Sequence, residues 1–91
     1  MIKQLRVSSS TSVPDLSGSI TNNLKTYGEI EARSIGASST NQLVKAVASS
    51  TGHLKEEDKS IDIHIGFDLT NHDGREKTVM VFRLKLKDLE V

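Results

Sequence analysis

Apolar residues recur along this chain in two rhythms, and the switches between them mark out its elements. Residues 2–7 (IKQLRV) alternate apolar and polar positions with cations between, which predicts a short strand. Residues 8–14 (SSSTSVP) are turn material that caps the next helix, or else a phosphorylation site or phosphate loop. Val13, Leu16, Ile20, Leu24 and Tyr27 then follow at spacings of three and four, one stripe on a helix. Ser12 is placed to cap it, Pro14 and Asp15 suit its first turn, and Gly28 its C-terminus. Ser17 and Gly18 weaken this helix by roughly 0.5–1 kcal/mol each, so something packs closely there.

Residues 29–35 (EIEARSI) return to alternation, with Ile30 and Ala32 on one side and Glu31 and Arg33 on the other. Residues 38–54 predict a second helix, with Leu43, Val44 and Val47 as its stripe and Gly52 near its end. A polar loop, 54–60, leads to the clearest strand of the chain, residues 61–69. There Ile61, Ile63, Ile65, Phe67 and Leu69 alternate with Asp62, His64, Gly66 and Asp68, a half-buried strand with one wet face. Asp73-Gly74 is a strong hairpin signal, and residues 77–87 form the return strand. Met80, Phe82, Leu84 and Leu86 face in, while Lys77, Val79, Val81, Arg83, Lys85 and Lys87 face out. The order is strand, helix, strand, helix, strand, strand: one α/β (α+β) domain over residues 1–91 that closes with a long hairpin.

Composition narrows the function classes. With 91 residues, 35% apolar and 3% aromatic, the core is thin, and burial against a second copy is expected. Two small-residue helix faces, Ser17/Gly18 and Ala46/Ala48, are the expected contact. The absence of cysteine excludes disulfides and thiolate metal sites. No segment reads as a secretion signal or membrane span, so a cytoplasmic location without membrane contact is expected. The formal net charge is zero, which excludes a strongly basic nucleic-acid footprint. Its distribution is uneven: residues 1–55 hold six cations and three anions, residues 56–91 six cations and nine anions.

The chemistry-bearing residues do not assemble into an enzyme motif. His53, His64 and His72 lack metal-ligand spacing and read as surface residues. No G-x-S-x-G elbow is present, and Glu56, Glu57 and Asp58 read as a solvated loop. No catalytic residue, metal site or cofactor is therefore expected. The run RSIGASSTNQLVKAVA, residues 33–48, is the most informative stretch. Gly36 permits a sharp turn out of the strand, and Ser38, Ser39 or Thr40 can cap the helix. The free N–H groups of such an end also attract anions, with Arg33 and Lys45 alongside. The run is not a P-loop, because no G-x-x-x-x-G-K-[ST] occurs.

The same stretch, IGASSTNQLVKAVA, resembles the IGAGAxNQAVKAVA-type core of the stage V sporulation protein S family, within the Alba superfamily. LRVSSSTSVPDLSGSI, EIEARSIG and DGREKT are similar to that family's opening, second strand and hairpin at matching separations, so the resemblance spans about residues 2–87. It departs at Ser38, Ser39 and Thr40, where small residues are usual, at Leu43, where Ala is usual, and in SSTGHL and IHIGF. The chain is identified as a divergent member.

The resemblance implies an Alba-like two-layer sandwich with a long C-terminal hairpin, and a homodimer or higher homo-oligomer. Relatives in the superfamily bind DNA or RNA through the loop before the second helix, the first helix and the hairpin. Carried onto this chain, that implies a nucleic-acid surface of Arg33, Gly36, Ser38, Asn41, Gln42, Lys45, Arg75 and Lys77. The expected function is that of a non-enzymatic DNA- or RNA-binding regulator in bacterial development or the cell cycle. The alternative is a protein-interaction or assembly factor that keeps the fold without nucleic-acid binding, which neutral net charge favours.

Overall fold

The computed structural model describes residues 2–89, the side chain of His72 excepted. The reading of His72 as a surface histidine lies outside the described residues. The elements are β1 (Lys3–Val7), α1 (Val13–Tyr27), β2 (Glu29–Ile35), α2 (Ala37–Lys55), β3 (Lys59–His72) and β4 (Arg75–Asp88). They form one four-stranded sheet in the order β1-β2-β4-β3. β1 runs parallel to β2, as the α1 crossover requires, and the other pairings are antiparallel.

The start of α1 follows from its local chemistry. The Ser12 hydroxyl accepts from the Asp15 N–H at 3.3 Å, and Pro14 sits in the first turn. Gly28 ends the helix in the left-handed conformation, with its N–H on the Leu24 carbonyl. The hairpin closes through Asp73 and Gly74, both at positive φ, as a two-residue turn of the primed kind requires. α2 spans the expected 38–54 with one further residue at each end, to Lys55, and the chain turns at Asp58, whose φ is 59°. The polar segment after it is therefore a short turn, and β3 and β4 are each longer than the alternation alone marks out.

Both helices cover one face of the sheet. Leu16, Ile20 and Leu24 of α1 and Leu43, Ala46, Val47 and Leu54 of α2 meet Val7, Ile30, Ala32, Ile61, Phe82 and Leu84 of the strands. Each of the larger of these side chains contributes about 1.5–3 kcal/mol on full burial, so a small set carries the fold. Between the helices the Ser17 and Ser50 hydroxyls lie 3.2 Å apart, and Ser50 Oγ donates to the Ser17 carbonyl at 3.0 Å. Both serines are buried. The small residues thus let α1 and α2 approach within the chain. Ser17 and Ala46 are buried inside the fold, while Gly18 and Ala48 stay exposed.

Two burial expectations change. Tyr27 and Val44, assigned to helix stripes, are 56% and 49% exposed, because each stripe turns past the edge of the core. Among the described side chains of β3 only Ile61 is buried; Ile63, Ile65, Phe67 and Leu69 are 42–65% exposed. The helices end short of the far half of the β3–β4 hairpin, so its apolar row points to the helix side with nothing above it. Conversely Val79, which faces the open side of the sheet, is buried, lying between Ile35 and Asp68 in register.

Candidate nucleic-acid interface

The parallel pairing of β1 and β2 places Arg6 directly opposite Arg33. Both alternate with core-facing neighbours, so both side chains stand on the open face of the sheet. Like charges directly opposite each other repel. Arg33 is offset by two carboxylates: its Nη2 lies 2.9 Å from Asp68 Oδ2 and its Nη1 3.5 Å from Glu31 Oε1. Glu31, buried on the open face, also accepts from Gln4 Nε2 at 2.8 Å. Arg6 is exposed and makes no ion pair among the described residues.

Beyond Ile35 a single residue, Gly36, joins β2 to α2 at φ 91° and ψ 158°. This conformation is essentially reserved for glycine. The three hydroxyls after it do not cap the helix. Ser39 Oγ donates to the Ile35 and Gly36 carbonyls at 2.5 and 3.2 Å. Thr40 Oγ1 donates to the Gly36 carbonyl at 2.8 Å and lies 2.9 Å from Ser34 Oγ. The Ser39 and Thr40 hydroxyls are spent on carbonyls and on Ser34, because the tight one-residue connection turns those carbonyls toward the first turn. No side chain caps the first N–H groups of α2.

The result is a cavity of about 750 Å³ at the end of β1 and β2. Arg6, Arg33, the Ser8–Ser9 turn, the Gly36–Ser39 connection, Thr70 and Val79 line it. Cationic side chains and uncapped amide groups face the same space, an arrangement suited to an anion such as a phosphate.

The eight residues expected at a nucleic-acid surface separate into groups. Arg33, Gly36 and Ser38 share this cavity. Gly36, Asn41 and Lys77 line an adjoining, more apolar hollow with Ile35, Val44 and Met80. Gln42 is committed elsewhere: its Nε2 donates to the Thr11 carbonyl at 3.0 Å and ties α2 to the β1–α1 loop. Lys45 is exposed on α2, and Arg75 is exposed beside the hairpin turn; neither lines the cavity. The residue that sequence reasoning missed is Arg6. Its cation between apolar positions was visible, but its place beside Arg33 depends on the register of two strands joined through a helix.

Among the described residues no group of His, Asp or Glu is arranged to hold a metal ion. His64 is exposed, with Nε2 4.0 Å from Asp62 Oδ2. No helix of the described residues is long and apolar enough to cross a membrane.

Two helices on one face of a mixed β1-β2-β4-β3 sheet, with a long β3–β4 hairpin, define a small α+β protein of Alba-like fold. The solved structure of Alba from Thermoplasma volcanium is similar over 93% of this chain and 99% of that one, with a TM-score of 0.62 at 10% sequence identity. The chain belongs to the stage V sporulation protein S (SpoVS) family, whose model matches residues 3–87. Comparison with curated proteins gave no match.

Proposed function

We propose that this protein is a non-enzymatic, dimeric regulator of bacterial development that binds DNA or RNA weakly through the cavity at the start of α2. The observation that carries the reading is Arg6 beside Arg33 at the mouth of an uncapped helix. Two adjacent cations without a full set of counter-charges favour a polyanion's phosphates there. Lys77 and Arg75 extend the basic contacts along the hairpin, where a longer strand would reach them. Because net charge is zero, long-range attraction is absent and affinity rests on a few local contacts. Binding of this kind has a shallow salt slope, about 0.9 per phosphate neutralised on duplex DNA, and fades near physiological salt.

The exposed apolar row of β3 supports the dimer. Ile63, Ile65, Phe67 and Leu69, with Val44 nearby, leave on the order of several hundred Å² of apolar surface open, the size of patch that marks an interaction site. Its occupant is a second copy of this chain. A row at two-residue spacing on one strand pairs readily with an identical row, and a stable pair needs about 800 Å² from each partner, so the polar rim joins the contact.

The test is fluorescence anisotropy with labelled DNA and RNA at low salt. Arg6→Ala/Arg33→Ala is expected to weaken binding about tenfold or more and to reduce the salt slope by about two. Arg33→Ala/Lys45→Ala and Arg75→Ala/Lys77→Ala are expected to lose less. If wild type binds neither polymer, or if every double variant binds as wild type does, the nucleic-acid reading falls. The assembly factor, which the neutral charge favours, then takes its place.

A further inference from the structure

The β1–α1 turn brings a run of hydroxyl residues to the rim of the arginine cavity, and their roles differ. Ser8 Oγ lies 3.0 Å from both Ser10 Oγ and Thr11 Oγ1, and Thr11 Oγ1 accepts from the Ser8 N–H at 3.0 Å. Ser12 caps α1. Ser9 alone among them makes no side-chain hydrogen bond in the described residues; it is exposed in the turn and lines the cavity with Arg6 and Arg33. Arg6 precedes it by three residues, a spacing at which a cation guides basophilic serine kinases to their acceptor.

We propose that Ser9 is a phosphorylation site whose phosphate is held by Arg6 and Arg33. In the transfer, the Ser9 hydroxyl oxygen attacks the terminal phosphorus of a nucleoside triphosphate bound to a protein kinase. The bond from that phosphorus to the bridging oxygen breaks, a nucleoside diphosphate leaves, and the hydroxyl proton passes to the kinase's base. The product carries about −1.5 to −2 charge and three acceptor oxygens. These satisfy Arg6, which has no counter-ion among the described residues, and draw Arg33 from Asp68, whose side chain is 58% exposed and offers a weakly held pair. Glu31 and Asp68 oppose the phosphate and limit the gain, but the two arginines are nearer in register than either carboxylate is to Arg6. The bonds that hold the turn join Ser8 to Ser10 and Thr11 and Gln42 to the Thr11 carbonyl, and none of them involves the Ser9 hydroxyl, so the phosphate is added without breaking them. Resting on the nucleic-acid reading, a phosphate seated here also excludes the polymer and makes Ser9 its off-switch.

The experiment has two readouts that do not involve nucleic acid. A purified kinase that requires arginine three residues before its acceptor is expected to label Ser9, and Arg6→Ala to reduce labelling at least tenfold. Label confined to other residues, or none, overturns the modification site. Protein carrying genetically encoded phosphoserine at position 9 is then titrated by phosphorus NMR. Its second ionisation is expected to fall by roughly half a unit or more below the ordinary value near 6, and to return toward it in Arg6→Ala/Arg33→Ala. A phosphate that titrates at the ordinary value in both proteins overturns the arginine clamp. Anisotropy is measured separately, with at least a tenfold loss expected on phosphorylation. Equal binding with and without the phosphate overturns the off-switch. If the unmodified protein binds no polymer, the nucleic-acid reading and the off-switch fall together, while labelling and titration still decide the site.

Discussion

At the scale of single residues, Gly36 decides how β2 hands over to α2. A Cβ built there meets nothing within 4 Å, so a side chain has room but not the backbone angles it prefers. The cost of substitution is therefore conformational, roughly 1–3 kcal/mol, and greatest for a β-branched residue. Gly36→Val is expected to lower the melting midpoint by about 5 °C or more, as differential scanning calorimetry would show; an unchanged midpoint would mean that the connection relaxes freely. Gly18 is the opposite case. It lies exposed inside α1 at an ordinary helical conformation, and its Cβ also meets nothing within 4 Å. Gly18→Ala is expected to stabilise the fold by about 0.5–1 kcal/mol in denaturant unfolding. The same substitution in kind thus has opposite signs at two open positions, because φ and not space separates them.

At the scale of elements, the hairpin is the part with least support from the core, and its base is tied by charge. Lys59 Nζ contacts Asp88 Oδ1 at 2.5 Å where β3 begins and β4 ends. The hydrogen bond from Lys59 lowers the Asp88 carboxyl below the ordinary 3.8, and the same bond raises the Lys59 ammonium above 10.5. A lowered carboxyl contributes above its unfolded value and loses that contribution as pH falls through its folded value. A raised ammonium contributes below its unfolded value and loses it as pH rises through its folded one. The clamp should therefore act in full well inside the range 3.8 to 10.5, and be lost progressively as pH falls below the first value or rises above the second. Hydrogen exchange at the hairpin base should be faster in Asp88→Asn than in wild type at neutral pH, and the two should converge as pH drops below the carboxyl's folded value. A difference that persists there would show that Asp88 acts by something other than its charge. The hairpin also shows what the sequence could and could not reveal. Its turn was legible because Asp73-Gly74 is local chemistry, and its strands because alternation needs only near neighbours. The cover over Ile63–Leu69 was not legible, since alternation says that one face is apolar and not what lies on it. Similarly Gly36 was legible from its place between strand and helix. The Arg6–Arg33 pair was not, because parallel register is fixed by the packing of α1 and not by any spacing in the chain.

At the scale of the whole molecule, charge and apolar surface point to different partners. The balanced charge leaves no global field to gather a polyanion, so the arginine cavity acts only at short range. The apolar row of β3 is unscreened at any salt concentration and strengthens relative to it as ionic strength rises. Self-association and nucleic-acid binding should therefore separate: salt weakens the second and spares the first. They also separate by mutation, because Ile65 and Phe67 are 60% and 65% exposed and contribute little to the fold of one chain. Ile65→Asp/Phe67→Asp places like charges on facing rows and strips the patch of its centre, so association should fall by orders of magnitude while the single chain keeps its circular dichroism. Sedimentation equilibrium at micromolar concentration should give at least a dimer for wild type, at both low and high salt, and a monomer for the double variant. Gly18→Leu, on the helix surface, should leave the dimer intact. A wild-type monomer would remove the partner assigned to this face. A variant that remains dimeric would move the interface elsewhere on the molecule, and dimerisation lost in Gly18→Leu instead would return it to the small-residue face of the helices.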